Sequence, residues 1–126
     1  TARESLLHLR ELADSGKAVV LISHDILAAL TVADRVAVFL GGMVVEIAAA
    51  ADFSDASRLR HPYTRALWQA LPHNEFTAAP ARSCTGSASD HGCVYAQDCH
   101  LADAACGVEV PGWQEKAGGL VRCLHA

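Results

Sequence analysis

Two sets of residues are of types and spacings that could do chemistry. Cys93, Cys99, Cys106 and Cys123 follow one another as C-x5-C-x6-C-x16-C in a stretch with few large aliphatic residues, among them Leu101, Leu120 and Leu124. Four thiolates are a full ligand set for tetrahedral zinc and for an iron–sulfur cluster. Zinc sites usually hold at least one tight C-x2–4-C pair, and none occurs here, so the spacing does not favour zinc. Ordering such a tail costs about 1–2 kcal/mol per residue of backbone. A structural metal site could contribute on the order of 10 kcal/mol against that cost. The second candidate is His24. It ends the apolar run Ala18-Val19-Val20-Leu21-Ile22, followed by Ser23-His24-Asp25. An unbroken apolar run rich in β-branched residues predicts a strand buried on both faces, and open α/β sheets place their active sites at the carboxyl ends of such strands.

The elements that must position these residues can be read in turn. Thr1-Ala2-Arg3-Glu4 fits a capping box, and Ala2, Leu6, Leu9 and Ala13 recur at helical steps until Ser15-Gly16. Ile26 to Ala33 is too apolar for an exposed helix and predicts a short, largely buried one, with Asp25 as its cap. Arg35 to Leu40, Gly41-Gly42 and Met43 to Ala48 predict a β-hairpin, with Glu46 facing outward and carrying no chemistry. The alanine-rich stretch Ala49 to Leu59 predicts a short helix. His61 to Pro72 has proline at a helix start and another at its stop, with Tyr63 and Trp68 as packing anchors. Asn74 to Asp90, which holds Cys84, has neither period and predicts a connecting loop.

Composition narrows the function. The 126 residues suffice for one domain, and 52% hydrophobic with 19% charged residues describe a globular chain. A net charge of −4 gives no electrostatic footprint for nucleic acid. The run Val36 to Val45 is too short to span a bilayer. No G-x-x-x-x-G-K-[ST] loop is present, and no strand ending in a magnesium-binding Asp followed by Glu precedes His24.

Val20-Leu21-Ile22-Ser23-His24-Asp25, followed by an apolar helix and Ala33-Asp34-Arg35-Val36, resembles the switch-histidine segment of ABC-transporter ATPase subunits. The resemblance implies that His24 contacts the γ-phosphate of ATP and helps to hold the attacking water, with ATP and Mg as cofactors of the intact subunit. His61-Pro62-Tyr63-Thr64-Arg65-Ala66-Leu67, then Ala70-Leu71-Pro72, resembles the signature of the C-terminal extension in the oligopeptide, dipeptide and nickel branch of ABC importers. The cysteine tail also resembles that branch, whose members with all four cysteines are associated with a [4Fe–4S] cluster. Cys93, Cys99, Cys106 and Cys123 match those positions and Cys84 is left over. Tyr95 stands where the branch often has phenylalanine, and Asp98 where arginine commonly precedes the second cysteine; a carboxylate there opposes an anionic cluster. His91, His100 and His125 flank the cysteines and could replace a ligand in a zinc site, exposure to solvent being the plainer expectation. Disulfides are the weakest reading, because an ATPase-like sheet without a signal peptide points to the reducing cytosol.

The resemblance implies an α/β fold: the C-terminal part of a P-loop-type ABC ATPase domain over residues 1–59, then a small helical and loop-rich extension with the cysteine tail over residues 60–126. It implies the C-terminal portion of the ATP-hydrolysing subunit of an importer for peptides, nickel or a related small solute. Such a subunit works peripherally at the cytoplasmic face of the cell membrane, paired with a second ATPase subunit and membrane permeases. A chain that opens on Thr1 without the phosphate loop is expected to be part of a longer subunit and not to hydrolyse ATP alone. The reading from another class is a non-enzymatic, metal-stabilised interaction module, Fe–S or zinc, whose cysteine tail docks a partner.

Overall fold

Helix α1, Ala2–Asp14, starts where the capping box predicts. Thr1 Oγ1 accepts from the Glu4 amide at 3.4 Å, and the Glu4 carboxylate reaches back to the Thr1 amino group at 2.9 Å. On its flank Arg10 donates to Asp14 at 2.6 Å, to the Val32 carbonyl at 3.0 Å and to Asp34 at 2.9 Å. These bonds tie α1 to the end of α2, Ile26–Leu30, which Asp25 caps by accepting from the Ala28 amide at 3.0 Å. This is a computed structural model, and it describes residues 1–71 and 91–126. The expected loop Asn74 to Asp90, with Cys84, lies outside the described residues.

Two expectations for this end of the chain are corrected. Ala18 to Ser23 is irregular, not a strand, and Val20 and Ile22 are 89% and 93% exposed. A buried parallel strand needs hydrogen-bonded neighbours beside it and cover on both faces, and no strand among the described residues lies next to this one. Helix α2 is likewise not buried: none of its residues reaches burial and Leu27 faces water, because α1 covers it from one side only.

The sheet is built elsewhere. β1, Arg35–Leu40, and β2, Met43–Ala49, form the predicted hairpin around Gly41 and Gly42, both at positive φ (58° and 78°), as the two-residue turn demands. β3, Gln114–Lys116, and β4, Gly119–Val121, form a second hairpin around Ala117 and Gly118. β4 lies antiparallel against β2, pairing Val121 with Glu46 and Leu120 with Ile47, so the order is β1-β2-β4-β3. The Arg122 amide extends this ladder to the Val45 carbonyl at 2.9 Å. The architecture is mixed helix and antiparallel sheet, consistent with the C-terminal part of an ABC ATPase; a parallel P-loop sheet is not among the described residues.

Val38, Val45, Ala48, Phe53 and Leu59 make the core, with Tyr63, Leu67, Trp68 and Val94 packed against it. The stretch expected as one helix forms two short 3-10 turns, Ala50–Ser54 and Ala56–Arg58, because Asp55 interrupts it by capping the second through the Ser57 amide at 2.9 Å. Helix α3, Pro62–Gln69, follows, and its Trp68 indole donates to the Phe53 carbonyl, so Tyr63 and Trp68 anchor packing as expected. No helix among the described residues is long and apolar enough to cross a membrane.

Candidate metal centre and its support

The tail is attached to the hairpin through a buried carboxylate. Glu46 does not face outward: it is fully buried. β4 and the turn at residues 60 and 61 cover that side of β2, so the position expected to be wet is enclosed. Its carboxylate accepts from the Arg60 amide at 3.1 Å, from the His61 amide at 2.7 Å and from the Arg60 guanidinium at 3.4 Å. Arg60 also donates to Asp52 at 3.2 Å and to the carbonyls of Lys116 and Ala117, at 2.6 and 2.8 Å, which form the β3–β4 turn. A Cβ at Gly119 would lie 2.7 Å from this guanidinium, so only glycine fits there. One ion pair with its remaining donors and acceptors satisfied therefore joins β2, the first 3-10 turn, the start of α3 and the tail.

His61 caps α3. Its Nδ1 accepts from the Tyr63 amide at 3.0 Å, and Pro62 occupies the first helical position, where no donor is needed. The ring is 1% exposed, and burial pushes its pKa down to about 4, the Arg122 backbone opposing in part. The imidazole is thus neutral, with Nδ1 the acceptor. Tyr63 meets Tyr95 edge-on, centroids 5.4 Å apart, and the His61 ring lies 5.9 Å from Tyr95. Burial above all, then the charges of Cys99 and Asp98, raise the Tyr95 phenol pKa. Next to it Val94 lies over the β1–β2 turn, where a Cβ on Gly41 would overlap it. The His-Pro-Tyr stretch thereby holds the residues between the first two tail cysteines.

The four tail cysteines are free thiols; Cys106 and Cys123 are buried, Cys93 and Cys99 half-buried. The Cys93 amide donates to the Cys106 carbonyl at 2.7 Å, fixing those two loops against each other. Asp103 Oδ1 accepts from the Cys106 amide at 3.1 Å, which holds the Asp103 carboxyl below its usual pKa. The Asp103 backbone N–H, directed at the Cys106 sulfur, favours the Cys106 thiolate, but burial, the side-chain hydrogen bond with Asp103 and the charges of Asp103 and Cys93 outweigh it, and the thiol pKa is raised. Burial raises the Cys123 pKa too, helped by the charges of Cys99, Cys93 and Cys106, although the His125 amide donates to its sulfur at 3.4 Å. Cys123 thus feels all three other thiols. A nearby positive charge would favour the thiolates of Cys106 and Cys123.

Spacing bears on which cation fits. Tetrahedral zinc with bonds of about 2.3 Å requires sulfurs about 3.8 Å apart. Among the described residues, the set of three or more ligand atoms all within 4.8 Å of one another is Asp103, Cys106 and His125, not three thiols. His24 lies at the surface just before the Asp25 cap and ends no strand among the described residues. His91 and His100 are exposed; the ring of His125 pairs with Asp103 at 3.0 Å. Sequence reasoning missed Glu46, Arg60 and Asp103. The adjacency of Arg60 to His61 was the one available signal.

Residues 45–106 match the family described as oligopeptide/dipeptide transporter, C-terminal region. The match contains Glu46, Arg60, the His-Pro-Tyr stretch and three of the four cysteines. Among similar proteins, the dipeptide transport ATP-binding protein DppD of Escherichia coli is 32% identical over 127 residues, covering 97% of this chain and 38% of the relative. DppD of Bacillus subtilis is 32% identical over 99 residues, 75% of this chain and 29% of the relative. A Brucella ovis protein, provisionally named as a peptide import ATP-binding protein, is 34% identical over 117 residues, 87% of this chain. The chain spans 36% of the length of that relative.

Proposed function

We propose that this chain is the C-terminal portion of the ATP-hydrolysing subunit of an ABC importer for peptides or a related small solute such as nickel. The observation that carries the reading is the family match over residues 45–106, which falls on the buried carboxylate and His-Pro-Tyr framework that supports the tail. Residues 1–59 then complete an ATPase domain supplied by the rest of the subunit, and residues 60–126 form the accessory extension. ATP and Mg belong to that complete subunit, which pairs with a second ATPase and with permeases at the cytoplasmic face of the membrane. His24 is the switch histidine in it, donating to the γ-phosphate as charge develops there. Replacing His24 with Ala in the complete subunit lowers hydrolysis about 10²–10³-fold while leaving nucleotide binding nearly intact. Unchanged turnover would overturn the assignment. If the intact reading frame holds no phosphate loop, the chain is instead a metal-stabilised interaction module.

Cys93, Cys99, Cys106 and Cys123 are assigned to a [4Fe–4S] cluster ahead of zinc: each thiolate of a cluster binds a different iron, and among the described residues no three of these sulfurs form a set within 4.8 Å of one another, which supports that reading. When bound, the cluster would cross-link three loops that share few apolar contacts. Anaerobically prepared protein should carry about four irons per chain. Substituting any of the four by Ser should release iron and expose the tail to protease, whereas Cys84→Ser should change neither. Colourless protein holding one zinc would reject the cluster.

A further inference from the structure

We propose that Asp103, Cys106 and His125 form a separate binding mode of the tail, a mixed carboxylate–thiolate–imidazole site for one zinc-class divalent cation, loaded when Cys106 is not committed to a cluster. Their ligand atoms already lie within 4.8 Å of one another. The two oxygens of Asp103 do different work: Oδ1 is held by the Cys106 amide at 3.1 Å, and Oδ2 is left facing His125 Nε2 at 3.0 Å. Bonds of about 2.0–2.2 Å to oxygen and nitrogen at a tetrahedral angle put those atoms about 3.4 Å apart, so a cation needs them to part by only a few tenths of an ångström. His125 is in turn fixed through its own amide, which donates to Cys123 Sγ at 3.4 Å.

The donor set selects the metal. One sulfur, one nitrogen and one oxygen suit zinc or cobalt, whereas magnesium and calcium take oxygen ligands. A carboxylate and a thiolate together neutralise a divalent charge. Cys106 forms the buried floor, while the side chains of Asp103 and His125 are 51% and 34% exposed, which leaves an entry path and a fourth position for water or an incoming ligand. The inference stands on this geometry and does not require the cluster, with which it competes only for Cys106.

The test is cobalt titration of the reduced, chelator-treated chain under anaerobic conditions, followed by visible absorption and by X-ray absorption at the metal. We expect one cobalt per chain, displaced by zinc, in a tetrahedral spectrum with one sulfur neighbour. Cys106→Ser, His125→Ala and Asp103→Asn should each weaken binding by at least about 10-fold, the loss that outer-shell partners alone can cause. Asp103→Asn keeps the size and the acceptor that caps Cys106, so it separates ligation from folding. His100→Ala, an exposed histidine outside the set, should leave cobalt affinity unchanged. Three or four sulfur neighbours, equal losses from Cys93→Ser and Cys106→Ser, or unaltered binding in both His125→Ala and Asp103→Asn would overturn the proposal. Iron content of anaerobically prepared His125→Ala reports on the cluster separately, and we expect it to match the parent.

Discussion

Residues 1–34 and residues 35–126 have similar apolar vocabularies and opposite fates. The first region contains no buried residue, although Val19 to Ile22 and the helix after it are among the most hydrophobic stretches of the chain. The second region, with a polar tail and few large aliphatics, buries Val38, Val45, Leu59 and Val121 and even a glutamate and a histidine. Burial is thus decided by the availability of partners more than by residue type. The hairpin finds β4 as a neighbour and Arg60 as a counter-ion, whereas the run before His24 finds neither strand nor cover among the described residues. A segment patterned for the centre of a parallel sheet gains nothing from its pattern until that sheet is beside it.

The comparison can be broken at its strongest point. Glu46→Ala leaves Arg60 and two amides without their acceptor and should cost about 3–5 kcal/mol, read as a lower midpoint in urea unfolding. A loss near 0.5 kcal/mol, typical of surface positions, would mean that the buried network is not what holds the second region together. Acid should act next. His61 is neutral in the folded protein, with a pKa of about 4, while the unfolded chain takes up a proton near the ordinary value of 6.5. The unfolded state therefore binds more protons between these values. Stability is full above about pH 6.5 and falls as the pH drops toward 4, by up to about 3 kcal/mol. His61→Asn, which keeps a capping side chain, should flatten that slope; an unchanged slope would assign the acid sensitivity to other groups. The smallest effect belongs to the first region. Val20→Ser with Ile22→Ser should alter the stability of this chain by no more than about 0.5 kcal/mol. In the complete subunit the same pair should cost at least about 3 kcal/mol, the lower bound for two fully buried aliphatic side chains. Equal effects in the two settings would remove the contrast.

What could be read from the sequence was local. The capping box at Thr1, the glycine turn at 41–42, the Asp25 cap and the proline at the first position of α3 each depend on residues within a few places of one another, and all form. What could not be read was the consequence of distant pairing. Glu46 looks like a solvent-facing strand residue until Arg60 and His61, 14 and 15 positions on, close over it. β3 and β4 are three residues each, polar or glycine-flanked, and become strands only because β2 offers an edge. The candidate metal ligands divide in the same way. The cysteine spacing drew attention to four thiols, but Asp103 comes forward through its bond to Cys106 and its reach to His125.

Gly92 carries a consequence for how the tail can change over time. It is buried, and a Cβ there would come within 2.6 Å of the Cys106 carbonyl and 2.7 Å of the Gly107 backbone. The next residue makes the main-chain bond that joins the Cys93 and Cys106 loops. The separation of these two cysteines is therefore set by backbone against backbone, not by the side chains between them. The small exposed side chain of Ala102 takes no part in that backbone contact. A single added methyl group at residue 92 would push the loops apart, so the geometry between the two sulfurs is guarded by a position that carries no side chain at all.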